Sequence, residues 1–332
     1  MFIVDNYTLA VLFCFITMLC WGSWGNTQKL AAKSWRYELF YWDYVTGVLF
    51  FSLVSAFTLG SIGNEGRSFL PDLAQADTKN ILSAFIGGVV FNAANILLSA
   101  AIAIAGMAVA FPVGIGIALV LGVIVNYMAA QKGDAMLLFL GVALIVVAVI
   151  LNAIAYKIKG GAQKSSAKGI VLSVVAGILM AFFYRFVAAS MDLNNFSAPQ
   201  AGKMTPYTAV FIFSTGIFIS NFLFNTLLMK KPFTGAAVSY KAYFSGKFST
   251  HLTGILGGLI WGLGNSLNLI AAGKAGAAIS YGLGQGATMV AALWGVFIWK
   301  EFAGGGKKVQ QLIGFMFLLF IAGLALIILA GS

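Results

Sequence analysis

Leu256–Gly286 reads LGGLIWGLGNSLNLIAAGKAGAAISYGLGQG, and 170 residues earlier Ile86–Gly116 reads IGGVVFNAANILLSAAIAIAGMAVAFPVGIG. Ten of the 31 aligned positions are identical without a gap, among them Gly87/Gly257, Gly88/Gly258, Asn95/Asn265, Gly106/Gly276, Gly114/Gly284 and Gly116/Gly286. Phe91/Trp261 and Phe111/Tyr281 match in kind. Alanine and glycine content alone supplies some matches, but not the spaced asparagine and aromatics. The stretch is therefore an internal duplication. In an apolar chain, that is the usual build of a secondary transporter.

The medium follows from composition. The 332 residues are 61% hydrophobic and 9% charged, against about 25% charged in soluble proteins. The two cysteines, Cys14 and Cys20, share the first apolar run and have no disulfide or metal spacing, and the single histidine, His251, excludes a multi-histidine metal site. No cofactor or metal is implied. The net charge of +11 falls between apolar runs, where membrane topology explains it. No nucleic-acid motif accompanies it. The N-terminus has neither a basic n-region nor a small-residue cleavage site, so the first run reads as a retained span.

A span needs roughly 20 apolar residues, and ten such runs occur, at about 8–31, 39–61, 80–104, 107–129, 135–156, 169–190, 207–229, 251–272, 276–298 and 308–330. The fold class is an all-α integral membrane protein. Its ten helices form two inverted five-helix repeats, residues 1–160 and 161–332, because an odd number of spans per copy makes the second cross upside down. Lys157–Lys168 reads as the linker between them. Odd-numbered connections carry fourteen Lys and Arg, even-numbered ones five. That bias puts odd connections in the cytoplasm and both termini outside the cell inner membrane. Spans 3–4 and 8–9 are joined almost directly, at Ala105-Gly106 and Ala275-Gly276, as tight hairpins. Pro112, about one turn into span 4, and its counterpart Gly282 are expected to break their helices, as carriers do around a binding site.

Polar side chains in hydrocarbon are costly and face the bundle interior. Helical spacing aligns Thr17, Trp21, Trp24 and Gln28 on span 1; Asn92, Asn95 and Ser99 on span 3; Trp261, Asn265 and Asn268 on span 8; and Tyr281, Gln285 and Thr288 on span 9. Span 7 carries the stripe Tyr207, Phe211, Ser214, Phe218, Asn221, Asn225. Such aromatic-plus-amide faces suit a small, hydrogen-bond-rich solute: rings cover its apolar face and amides both donate and accept. The same amides also serve as glue between helices. Charged candidates are few. Asp43 is a candidate proton-coupling carboxylate, with Glu38 second. A structural ion pair of Asp43 with Lys29, Arg36 or Arg185 is the competing reading. Arg185 is a candidate substrate contact. His251, at a span end, is expected to take no part in a proton relay.

Ten spans in two inverted halves resemble the drug/metabolite transporter superfamily. Cys20-Trp21-Gly22-Ser23 resembles the opening of its bacterial glucose/ribose-type sugar transporters. Lys29…Lys33-Ser34-Trp35-Arg36-Tyr37-Glu38…Trp42 is similar to the pattern after the first helix of L-rhamnose–proton symporters. Leu293-Trp294-Gly295 with Trp299-Lys300-Glu301-Phe302 is similar to the end of the ninth helix in those families. The Trp-Gly-Ser-Trp opening, residues 21–24, also resembles the ureide permease-like branch. The resemblance implies proton-coupled uptake of a small polar metabolite, sugar or ureide/nucleobase, by a monomer or homodimer in the lipid bilayer. Helix 1 has no carboxylate within its span, unlike small multidrug exporters. The leading expectation is a sugar. Trp21, Trp24 and Trp261 would pack on it and Gln28, Asn92, Asn95, Asn265, Asn268 and Gln285 would bond its hydroxyls, with Arg185 and Tyr281 as further contacts. The alternative is a ureide, purine or pyrimidine stacked on Trp21 and Trp261. An enzyme would need catalytic carboxylate pairs or clustered ligands deep in the bundle, and none is seen.

Overall fold

In the computed structural model, residues 1–31, 35–105, 107–160, 167–233 and 235–332 are described. Gly106, residues 161–166 of the 157–168 linker and the side chain of Phe111, all used in the repeat alignment or its boundary, lie outside the described residues, as do Lys33 and Ser34. The helices are α1 (Tyr7–Ser23), α2 (Gly25–Ala31), α3 (Tyr37–Phe57), α4 (Phe69–Gln75), α5 (Thr78–Ala105), α6 (Met107–Ala129), α7 (Ala135–Gly160), α8 (Ala167–Ser190), α9 (Pro206–Lys230), α10 (Tyr240–Phe244), α11 (Phe248–Ala275), α12 (Ala277–Gly284), α13 (Ala287–Leu293) and α14 (Gly306–Leu329), with a π turn at Trp294–Ile298. Ten spans long and apolar enough to cross a bilayer arise from them. α1 and α2 make span 1, and α12, α13 and the π turn make span 9. In hydrocarbon only helices satisfy every backbone group internally.

The packing of the third and eighth spans is similar. Span 3 (α5) packs on spans 6 and 7 (α8 and α9), while span 8 (α11) packs on spans 1 and 2 (α1 and α3). Each third helix thus lies against the first two helices of the other half. The matched glycines explain the closeness. A Cβ on Gly88 would lie 2.0 Å from the Phe213 carbonyl oxygen, and one on Gly258 2.1 Å from that of Tyr44. Only glycine permits such backbone contact between helices. Spans 5 and 10 (α7 and α14) pair with each other at the periphery. Their mean hydropathy is 3.0 with 33% of the span buried, whereas span 8 has 1.4 and 72%. The most polar helices are therefore central and the most apolar face lipid.

The 8–9 hairpin turns at Gly276, whose φ of +85° only glycine adopts freely. The expected break sites are displaced. α6 runs straight through Pro112, and Gly282 lies inside α12. Span 9 breaks instead at Gln285–Gly286, between α12 and α13. A Cβ on Gly286 would meet Met18 Sδ at 2.4 Å, so span 9 lies close against span 1 at this point.

The two faces of the molecule differ. On the even face, the connection carrying α4 is clamped to residues 191–205. Arg67 donates from Nε to Asp72 Oδ1 (2.9 Å), from Nη1 to the Pro199 carbonyl (2.7 Å) and from Nη2 to that of Lys203 (2.6 Å). Asp72 Oδ2 accepts from the Thr205 amide at 2.8 Å. The Met1 ammonium caps the same loop at the Glu65 carbonyl. No equivalent clamp closes the odd face among the described residues, and there the bundle opens.

Candidate functional site

A cavity of about 320 Å³ enters the bundle from the odd face, between spans 1, 3, 4, 5, 6, 8 and 9. That is within the range of small-molecule sites, about 300–1,000 Å³. Aromatic rings from both halves form its floor. The indoles of Trp21 and Trp261 lie nearly parallel, with centroids 6.0 Å apart and 11° between planes. Phe91, the repeat counterpart of Trp261, contacts it directly at 4.5 Å. Two positions matched in the sequence alignment thus meet at the centre of the bundle. Phe183 packs beneath Phe91 at 5.1 Å. Trp24 stacks on Tyr44 at 4.6 Å.

Polar groups stand on the walls. Gln28, Asn95, Gln285, Thr288 and Asn152 line the cavity. Asn95 is oriented by Tyr41, whose hydroxyl accepts from its Nδ2 at 3.1 Å. The indole Nε1 of Trp21 and Oδ1 of Asn152 are buried without a protein partner. An unpaired buried polar atom costs about 1–3 kcal/mol, and a ligand entering this cavity would relieve it.

Of the residues singled out from the sequence, Trp21, Trp24, Gln28, Asn95, Trp261 and Gln285 come together on the cavity wall. The others lie off it. Asn92 bridges three helices: its Oδ1 accepts from Tyr41 (2.8 Å) and its Nδ2 donates to Ser220 Oγ (2.9 Å) and the Ile217 carbonyl (3.2 Å). Asn268 donates to the Ser280 carbonyl at 2.9 Å, joining α11 to α12. The Tyr281 hydroxyl donates to the carbonyls of Ala118 and Met180, at 3.1 and 3.3 Å. Asn265 is 1% exposed and both its amide atoms lack a partner among the described residues. Arg185 is part-exposed, and no partner is seen for it among the described residues.

Asp43 is 2% exposed and sits behind the cavity wall near the odd face. Its Oδ1 meets Tyr243 OH (2.7 Å) and His251 Nδ1 (2.8 Å), and its Oδ2 accepts from Trp35 Nε1 (2.9 Å). The ion pair foreseen with Lys29, Arg36 or Arg185 is replaced by this pairing with His251, which the sequence had set aside. Glu38 takes Arg36, at 2.6 Å from Nη2 and 3.1 Å from Nε. Tyr243 belongs to the extramembrane helix α10. Burial, then donation to the Asp43 carboxylate, pushes its phenol up, which keeps it a donor.

The lining residues that the sequence reading did not assign to the site include Lys29, Asn152, Tyr156 and Glu301. Asn152 and Tyr156 sit at i, i+4 on the otherwise apolar span 5, a spacing that marks one face. The sequence reading had counted Lys29 as a topological charge, a candidate partner of Asp43 and part of a family pattern, but not as a cavity residue. It pairs with Glu301 Oε1 at 2.6 Å and lies 4.2 Å over the Trp299 ring.

The chain resembles known proteins over nearly its whole length. It is 24% identical to ureide permease 1 of Arabidopsis thaliana, covering 98% of each chain, and 24% identical to ureide permease 2 of the same plant with the same coverage. A probable glucose uptake protein of Priestia megaterium is 28% identical over 68% of each chain. A solved crystal structure superposes with a TM-score of 0.65 at 12% identity, covering 97% of this chain and 96% of its own, a likeness of fold alone. The ureide permease family model matches residues 40–166 and 156–331. A ten-span bundle with an aromatic, amide-lined central cavity thus belongs to the ureide permease family, a family of multi-pass membrane transporters of small polar solutes.

Proposed function

We propose that this chain is a proton-coupled permease for a ureide or nucleobase, working by alternating access with the two repeats, 1–160 and 161–332, rocking about the central cavity. One observation carries the reading most: the near-parallel Trp21 and Trp261 plate, backed by Phe91 and walled by amides. A flat heterocycle stacks on such a plate, and amides pair with its alternating N–H and C=O groups. Lys29, the one lysine lining the cavity among the described residues, is neutralised by Glu301, which suits an uncharged solute. Family membership favours this branch over the sugar that led from the sequence. Trp21, Trp24 and Trp261 are the packing surface, and Gln28, Asn95 and Gln285 the hydrogen-bonding groups. Asp43, shared with His251 and Tyr243, is the proton site. In this conformation the cavity faces the odd side, which the Lys and Arg bias makes cytoplasmic.

Thermal unfolding of the purified protein with allantoin, uracil and glucose, at two pH values, tests this. A ligand that binds only the folded state raises the melting temperature by mass action. Stabilisation by allantoin or uracil, larger at the lower pH, is the expected result. Stabilisation by glucose alone would return the chain to the sugar branch.

A further inference from the structure

Glu301 is held on the cavity wall by a backbone that has no counterpart elsewhere among the described residues. The π turn Trp294–Ile298 precedes it, with the Trp299 amide bonding the Trp294 carbonyl and the Glu301 amide that of Gly295, both at 2.9 Å. Lys300 between them is the non-glycine residue with a positive φ, +52°. π turns and strained backbone gather at functional sites. The surroundings are shaped to this carboxylate. A Cβ on Gly295 would lie 2.9 Å from Glu301 Oε2 and 3.2 Å from the Tyr156 hydroxyl, so only glycine leaves room.

The hydrogen bonding has a specific form. Oε1 accepts from Lys29 Nζ at 2.6 Å and Oε2 from Tyr156 OH at 2.5 Å. The two donors come from different helices and take one oxygen each. A carboxylate has about four acceptor positions, so one remains on each oxygen. Two acceptors side by side match two parallel N–H donors, as in bidentate recognition of a carboxylate by a guanidinium. An open-chain ureido group, –NH–CO–NH2, presents that pair on the side away from its carbonyl. A ring urea does not, because its two N–H bonds diverge. Sugar hydroxyls rotate and offer no fixed parallel pair.

We propose that Glu301, oriented by Lys29 and Tyr156, is the recognition group for the open-chain ureido arm of the solute. This rests on the ureide reading above and names the group within it that selects ureides over nucleobases. No other carboxylate lines the cavity among the described residues.

Allantoin and hydantoin differ only by that arm, so they are the probes. Binding of both to the purified full-length protein is measured by titration calorimetry, for the wild type and for Glu301→Gln. A hydrogen bond to a charged group is worth enough to give a preference of about tenfold or more for allantoin in the wild type. In Glu301→Gln, where an amide N–H replaces one acceptor, allantoin should weaken to the level of hydantoin while hydantoin binding stays unchanged. A preference that survives Glu301→Gln overturns the proposal. If that variant does not fold, the wild type is titrated with allantoin doubly methylated on the terminal ureido nitrogen, which lacks one convergent donor. A fall to the hydantoin level supports the proposal, and affinity equal to that of allantoin overturns it. Equal binding of allantoin and hydantoin by the wild type defeats this inference alone. Binding of neither defeats the ureide reading and this inference with it.

Discussion

The two faces of the bundle carry ion pairs of opposite character. On the even face Asp72 is wholly buried, Arg67 binds it, and the same guanidinium ties down two carbonyls of the 191–205 connection. On the odd face Lys29 and Glu301 meet at a cavity mouth, with side chains 44% and 30% exposed. Buried and exposed pairs obey different energetics. Removing one partner of a buried pair strands a charge, whereas an exposed pair contributes about 0–1 kcal/mol. The even face therefore reads as a lock, and the odd face as a mouth whose charges are free to rearrange around a solute.

The largest expected effect breaks the lock. Arg67→Ala strands the buried Asp72 and should cost about 3–5 kcal/mol of stability, seen as an earlier thermal unfolding transition. A neutral outcome would mean that the even face is not locked. Next is the proposed proton site, Asp43, just inside the odd face. Asp43→Asn removes the group that His251, Tyr243 and Trp35 surround, and uptake should lose its stimulation by acid while the protein still reaches the membrane. Stimulation that persists would move the proton elsewhere. Asn265→Ala sharpens the comparison at its centre. Both amide atoms of Asn265 lack partners among the described residues, so the substitution should shift stability by less than about 1 kcal/mol, yet reduce uptake at least tenfold if a solute reaches that amide during the cycle. Equal loss of protein and uptake would give Asn265 a folding role. The smallest effect is Lys29→Gln, which should change stability by less than about 1 kcal/mol because the pair is exposed. A stability loss as large as that of Arg67→Ala would abolish the distinction between lock and mouth.

Much of this was legible in the sequence because membranes make patterns strict. Ten apolar runs became ten spans, and the matched pair Phe91 and Trp261 became a contact. Helical faces brought Trp21, Trp24, Gln28, Asn95, Trp261 and Gln285 to one cavity. What spacing along a helix cannot show is which polar residue is already satisfied by a neighbour. Asn92, Asn268 and Tyr281 share those faces but spend their bonds on other helices. The pairing of Asp43 with His251 spans 208 positions and leaves no local signal. The break in span 9 was misplaced for a similar reason. α6 continues through Pro112 at the loss of one helical hydrogen bond, while span 9 breaks at Gln285–Gly286, where Gly286 lies against Met18 of span 1. Glu301 was hidden because its position on the wall depends on a π turn that no periodicity announces.

The most direct test of the central claim is cysteine accessibility from each side of the membrane. Both native cysteines are buried, which keeps background labelling low. Thr288→Cys places a thiol on the cavity wall, and exposed Ser245→Cys and Ala198→Cys mark the odd and even faces. With an impermeant thiol reagent applied to sealed vesicles of either orientation, the account predicts that Thr288→Cys labels from the same side as Ser245→Cys, and that a bound ureide protects it. Labelling from the Ala198→Cys side alone, unaffected by solute, would contradict it.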